Sequence, residues 1–301
     1  MKISIIICTK DRKTDLFRAI KSIENQSRKP DEIVIVDAST NQDFRKELIE
    51  TFKDLNISYL HMEPGLTKQR NRGIKVSTGD VVLFLDDDVV LESNYLAQIE
   101  NLFIADNNKL VGGAMGRIIN IDNRSLKFRM YQLFAKVFLL TSEGNGKIKL
   151  SGLPTHPFTV RYSRPVEVEV LSGAQMAYRR EVFKKNLFDE VLQGYCYMED
   201  VDFSYRVSKE FKLVYEPRAL IKHMASPSNR LLRREKKKMF VLNHYYLFRK
   251  NCHPSLIKWI AFGWSQVGQL ILGIFLFDGK SLLGMLDAWR DIIKQSLTRR
   301  R

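Results

Sequence analysis

The chain has 301 residues, 45% apolar and 28% charged, which suits one large α/β domain with a smaller appendage and excludes a disordered chain. Its three cysteines, Cys8, Cys196 and Cys252, are too scattered for a disulfide framework or a zinc site and point to reduced thiols in a cytosolic setting. The net charge of +15 belongs mostly to the last quarter, since 230–301 carries 15 Lys/Arg against 4 Asp/Glu, a net of +11. The opening MKISIIICTKDRK is not expected to be a signal peptide, because its apolar run is short and charges follow it. The first hundred residues then alternate between two periods. Apolar runs at 3–8, 33–36, 57–60 and 81–85 predict strands. Between them, Leu16, Ile20 and Ile23, then Phe44, Leu48, Ile49 and Phe52, recur at helical spacing, and a polar, basic helix is expected over 66–76. Such alternation predicts a parallel sheet with right-handed crossovers.

A helix is expected over 93–104, and one or two strands over the Gly-rich, β-branched 110–121. The stretch 122–141 mixes apolar and basic residues, so a helix there either packs on the core or faces an acceptor or a membrane. A loop is expected over 142–149, strands over 166–171, 212–215 and 219–223, and helices over 179–185 and 200–210. The chain changes character at Ser226-Pro227. The segment 256–277 holds one charge, Lys258. As a helix it would reach about 33 Å, long enough to span a bilayer. However, Lys258, Ser265, Gln266 and Gln269 fall on one side, which favours a helix lying in the interface or packed on the domain. In the next helix Leu282, Met285, Leu286, Trp289, Ile292, Ile293 and Leu297 share one face, and Asp287, Arg290, Asp291 and Lys294 the other, before Arg299-Arg300-Arg301. Nucleic acid or an anionic membrane would each suit this basic region. Its charges accompany Trp259, Phe262, Trp264, Phe275 and Trp289 on amphipathic segments, as at lipid interfaces, and no DNA or RNA module is recognisable.

The chemistry gathers where strands end. Asp86-Asp87-Asp88 closes the run 81–85, and carboxylates at the carboxyl edge of an α/β sheet can hold a divalent cation. Alone, such a triplet reads as a solvated acidic turn before it reads as a site. Thr9, Lys10 and Arg12 stand at the end of the first strand and Asp37-Ala38-Ser39 at the end of the second, on the same edge. Asp37 could accept hydrogen bonds from a base or ribose, or simply hold a turn. Arg70 could reach over the strand ends to a phosphate or belong to a solvated basic face. A second acidic cluster, Glu199-Asp200-Val201-Asp202, opens a helix after the aromatic Gly194-Tyr195-Cys196-Tyr197-Met198. Helix-dipole complementarity alone would place acids there, but partial desolvation also suits a general base. His223 is either structural or a third metal ligand beside the triplet.

Taken together, the first-strand Thr9, Asp37-Ala38-Ser39, Arg70-Asn71-Arg72-Gly73, Gly79-Asp80, Asp86-Asp87-Asp88, Ser172-Gly173-Ala174, Arg179-Arg180-Glu181-Val182-Phe183 and Glu199-Asp200-Val201-Asp202-Phe203-Ser204 resemble the family 2 inverting glycosyltransferases of GT-A fold. The rhamnosyltransferase-like and polysaccharide-assembly members are the nearest kind, over about residues 1–228. The resemblance implies a GT-A domain at 1–228, with 229–301 as a basic, amphipathic helical region that associates with a membrane or packs on the catalytic domain. It also implies that Thr9 and Asp37 contact the nucleotide base, with Arg12 nearby and Arg70 on base or diphosphate. Asp86 and Asp87 would face the ribose. Asp88, with Asp86 and His223, would hold Mn²⁺ or Mg²⁺ on the diphosphate. Asp200 would be the catalytic base, with Glu199 the alternative, and Ser172, Gly173 and Ala174 would border sugar and acceptor.

The expected function is thus metal-dependent transfer, with inversion, from a nucleotide-diphosphate sugar to a lipid-linked or polysaccharide acceptor in cell-surface glycan assembly. The expected place is peripheral, on the cytoplasmic face of an anionic membrane, without nucleic acid. The competing readings are a nucleic-acid-binding protein using the basic region and a nucleotidyltransferase on a related fold. The second would leave Glu199-Asp200 and His223 without a role.

Overall fold

The structure, a computed structural model, describes residues 1–41, 43–121, 125–157, 160, 162–226 and 231–298. The expected turning point at Pro227 and the terminal arginine run lie outside the described residues. In chain order the first elements are β1 (Ile3–Thr9), α1 (Lys13–Glu24), β2 (Glu32–Asp37), α2 (Phe44–Thr51), β3 (Ile57–His61), α3 (Leu66–Val76) and β4 (Val81–Asp86). The short β5 (Val89–Leu91), α4 (Tyr95–Ala105) and β6 (Val111–Ile118) follow. Next come α5 (Leu126–Val137) and the two-residue strands β7 (Ser142–Glu143) and β8 (Thr155–His156). Then come β9 (Val166–Val168), β10 (Gln175–Arg179), a 3₁₀ turn at Arg180–Lys184, α6 (Glu199–Val207) and β11 (Lys212–His223). Three long helices complete the order: α7 (Arg233–Asn251), α8 (Leu256–Phe275) and α9 (Gly279–Thr298).

The chain divides into two compact units. The first comprises Met1–Ile121, Pro157–Gly194 and Glu199–Asn229. Its sheet runs β3-β2-β1-β4-β10-β6-β11-β5, with β9 on β11. Strands β3, β2, β1, β4, β6 and β11 point one way, while β10, β5 and β9 run against them. The apolar runs work because alternate side chains enter two cores. Ile5, Ile7, Leu83 and Leu85 pack with α1, α2 and α4 on one face. Ile6, Phe84, Met176 and Tyr178 pack with α6 residues Phe203 and Val207 on the other. Gly73 lets α3 press on β1, where a Cβ would come within 2.6 Å of Ile6 Cγ2.

Two expectations change, and one strand was not foreseen. Strand β10 is wholly buried and lies between β4 and β6. Its polar ends hid it: Gln175 bonds the Gly116 backbone in both directions, and Arg179 caps Val111 O, Phe103 O and Asp106. The two strands expected around Pro217 form one strand, β11, whose register shifts between Tyr215 and Leu220; a bulge accommodates the missing proline N–H. Where a loop was expected, Ser142–Glu143 pairs with Thr155–His156.

The second unit comprises Asp122–His156, Tyr195–Met198 and Arg230–Arg301, so it takes in more than the expected 229–301. Val241, Met285, Ala288 and Ile292 join α7 to α9, and Phe248 and Phe262 join α7 to α8. Asp287 and Asp291, on the polar face of α9, pair with Arg234 and Lys238 of α7 at 2.7 and 2.6 Å. Leu286, Ile293 and Leu297 are exposed.

Candidate active site

Strand register brings the sequence-predicted residues to one edge. Thr9 pairs with Asp37 and Cys8 with Asp86. Gln69 locks this edge by donating to Thr9 O at 3.2 Å and Val36 O at 2.8 Å. Its inward direction was not readable in a helix that looked polar and basic all round.

The triplet splits across its turn. Asp87 turns inward, accepting from Thr9 Oγ1 at 2.7 Å and from Arg12 at 2.9 Å. Asp86 and Asp88 turn to His223, and one ligand atom from each of the three lies within 4.8 Å of the others. The antiparallel pairing of His223 with Val89, the residue after Asp88, brings the imidazole there. Asn120 fixes the His223 backbone through both its amide N–H and its carbonyl. His223 Nε2 stands 3.1 Å from Asp88 Oδ1, and the Ser226 N–H donates to Asp88 Oδ2 at 2.9 Å. Burial works against the charge on Asp88, but His223 and Ser226 outweigh it and hold the carboxyl below its ordinary pKa. Burial raises the pKa of Asp86; Arg70 opposes that and Asp88 adds to it. Two carboxylates and an imidazole, one carboxylate held ionised, form a donor set suited to a divalent cation.

The second acidic cluster lies across a hub made by Ser172-Gly173-Ala174. The Gly173 N–H donates to Asp200 Oδ2 at 2.7 Å, and Ala174 O accepts from Asp86 N at 3.1 Å. Gly173 O accepts from Arg70 at 3.1 Å. Ser172 bridges back to Gln175. Asp200 Oδ1 takes the Val201 N–H at 2.8 Å, and its side chain stays half-buried. Glu199 is buried, 2.7 Å from Arg70. Burial raises its pKa, with Arg70 pulling the other way. The segment before it is wound tightly, with Met198 at φ 73°, a conformation that a non-glycine residue holds only under constraint.

Arg70 and Asp37 are both engaged within the protein. Arg70 does not reach over the open edge: it is 2% exposed, paired with Glu199, 3.6 Å from Asp86 and stacked 5.2 Å above the Phe188 ring. The apolar partner and buried acid on elements distant in sequence draw it inward. Asp37 reaches the edge, but Ser39 takes one carboxylate oxygen and the Tyr59 hydroxyl the other, so it shapes the turn after β2.

Residues 4–187 match the profile "Glycosyl transferase family 2". The chain is 34% identical over 105 residues to the GalNAc(5)-diNAcBac-PP-undecaprenol beta-1,3-glucosyltransferase of Campylobacter jejuni, covering 33% of each chain. It is 28% identical over 123 residues to the glucosyl-dolichyl phosphate glucuronosyltransferase of Haloferax volcanii, covering 38% of each. It is also 26% identical over 212 residues to the putative colanic acid biosynthesis glycosyl transferase WcaA of Escherichia coli, covering 69% of this chain and 67% of the relative. The first two matches thus span little more than a third of those relatives' own length. A mannosyltransferase from Pyrobaculum calidifontis, solved with GDP-Man and Mn²⁺, superposes with a TM-score of 0.58 at 12% identity, covering 95% of this chain and 85% of that one. Sequence match and sheet order together place the chain in glycosyl transferase family 2, with a GT-A fold.

Proposed function

We propose that this chain moves a sugar, with inversion, from a nucleotide-diphosphate sugar to a hydroxyl of a lipid-linked or polysaccharide acceptor. The observation that carries this reading is the pairing, through one hub, of the Asp86–Asp88–His223 cluster with the half-buried Asp200. Asp200 accepts the proton of the acceptor hydroxyl, whose oxygen attacks the anomeric carbon as the bond to the diphosphate breaks. Two backbone N–H donors aim its carboxylate, so the base is oriented before the acceptor arrives. Arg70 and Glu199 hold the hub from beneath. A divalent cation held by Asp86, Asp88 and His223 would neutralise charge on the leaving diphosphate. The imidazole in the set favours Mn²⁺ over the oxygen-seeking Mg²⁺. Relatives whose names specify undecaprenol- and dolichyl-linked sugars support a lipid-linked acceptor.

The test is transfer from a panel of UDP, GDP and dTDP sugars with Mn²⁺, Mg²⁺ or chelator. Activity should require the metal, and Asp88→Ala should abolish both Mn²⁺-supported turnover and the Mn²⁺-dependent thermal stabilisation by nucleotide diphosphate. Full turnover in chelator would exclude the metal-dependent reading. Gly173→Ala supplies a second check. A Cβ there would stand 3.1 Å from Asp200 Oδ2 and 3.3 Å from its Cγ. The carboxylate must shift by a few tenths of an ångström, and kcat should fall about tenfold while donor affinity holds.

A further inference from the structure

Helix α8 is built inside out. Its polar residues Ser265, Gln266 and Gln269 face inward, all under 7% exposed. Gln269 accepts from Lys237 at 2.7 Å, and Gln266 meets the buried His244 at 3.2 Å. The outward face is apolar, with Leu256 77%, Ile260 64% and Phe275 75% exposed. Residues 256–277 contain no acid and one base, Lys258, whose ammonium donates to Cys252 O at 2.6 Å.

Helix α5 repeats the pattern. Leu126, Met130, Leu133 and Val137 are exposed at spacings that put them on one face. Trp264 joins the two faces: its ring stacks 4.8 Å from that of Phe138, and its Nε1–H donates to Val137 O at 2.9 Å. The exposed apolar side chains of α8 and α5 thus adjoin at Trp264 and are not a scatter of isolated ones. Among the described residues no helix is long and apolar enough to cross a membrane, so the surface is not a span.

Its charge selects the occupant. Helix α5 carries Lys127, Arg129 and Lys136, all exposed, and no acid. A second copy docked face to face would bring two such sets of cations into one interface, with no acid on either helix to pair them. Anionic headgroups complement them, and half-exposed Trp259 and Trp264 suit the headgroup level. We propose that the α5–α8 face seats on an anionic lipid surface, with apolar side chains in the headgroup–acyl boundary and the α5 cations on the phosphates. The proposal stands apart from the sugar-transfer reading.

The test is flotation of the full chain with vesicles of phosphatidylcholine alone or mixed with phosphatidylglycerol, at low and high salt. Binding should need the anionic lipid and weaken in salt. Ile260→Glu and Leu133→Glu should each weaken partitioning about tenfold or more with unchanged circular dichroism. Ile104→Glu, at an exposed apolar position of α4, should leave it intact. No flotation of the wild type, or flotation indifferent to both α5–α8 variants, would overturn the proposal. So would a concentration-dependent dimer lost in those same variants, which would assign the face to a second copy.

Discussion

Asp200→Asn should cost about a thousandfold in kcat, within the range expected for losing a general base. The substitution keeps the volume and removes the proton acceptor. One of the two N–H donors from Gly173 and Val201 then meets an amide NH₂ instead of an oxygen, which should cost roughly 1 kcal/mol of stability. Thermal stabilisation by nucleotide diphosphate and Mn²⁺ should persist, because the variant leaves Asp86, Asp88 and His223 alone. Glu199→Gln separates the two acids of the cluster. Glu199 is buried against Arg70 and turned from the open side, so its loss should show more in melting temperature than in the pH dependence of kcat. If Glu199→Gln abolished turnover and Asp200→Asn did not, the base assignment would reverse.

The sheet was legible where side chains of one kind run together. The run ending at Asp86 is apolar on both faces, and only a strand between two helical layers accommodates that. The acidic part of the metal-type cluster was legible for a related reason: strand ends share an edge, so Asp86 and Asp88 could be set beside Thr9 and Asp37 without knowing any contact, whereas His223 stayed open between a structural role and a ligand until its pairing with Val89 placed it. Direction was not legible. Nothing local distinguishes Arg70 reaching for a phosphate from Arg70 folded onto Phe188 and Glu199, because its partners lie 118 and 129 residues away. Asp37 shows the same limit, since Tyr59 comes from the next strand. Strand β10 was missed because its short apolar stretch is flanked by Gln175 and Arg179, whose polar atoms find backbone partners only in the folded sheet. In α8 the polar stripe was visible as a stripe. That it turns inward depends on Lys237 and His244 of α7, which no helical wheel contains.

Arg70→Leu should destabilise the first unit by about 3–5 kcal/mol, the usual result of leaving one member of a buried ion pair without its partner. At this size that is a fall of roughly 10 °C in Tm. The penalty should depend on pH, with a sign fixed by Glu199. Burial already raises the Glu199 pKa from 4.5 to about 8 while Arg70 works to lower it. Without Arg70 the folded value rises further, so the folded state binds the proton more tightly than the unfolded state. Stability is then fully present below the unfolded value near 4.5 and is lost as pH rises toward the folded value. Arg70→Leu should therefore depart further from wild type above pH 8, where Glu199 beside Arg70 has ionised in the wild type but the stranded carboxyl still holds its proton. Arg70→Leu with Glu199→Leu should recover at least half of the loss and flatten the pH dependence, because no charge is then stranded. Turnover should stay low in the double variant. Gly173 O loses its donor, and the hub that aims Asp200 is no longer held from below. Recovery of both stability and turnover would mean that the pair serves folding alone; recovery of stability without turnover separates the positioning of Asp200 from the folding of the sheet beneath it.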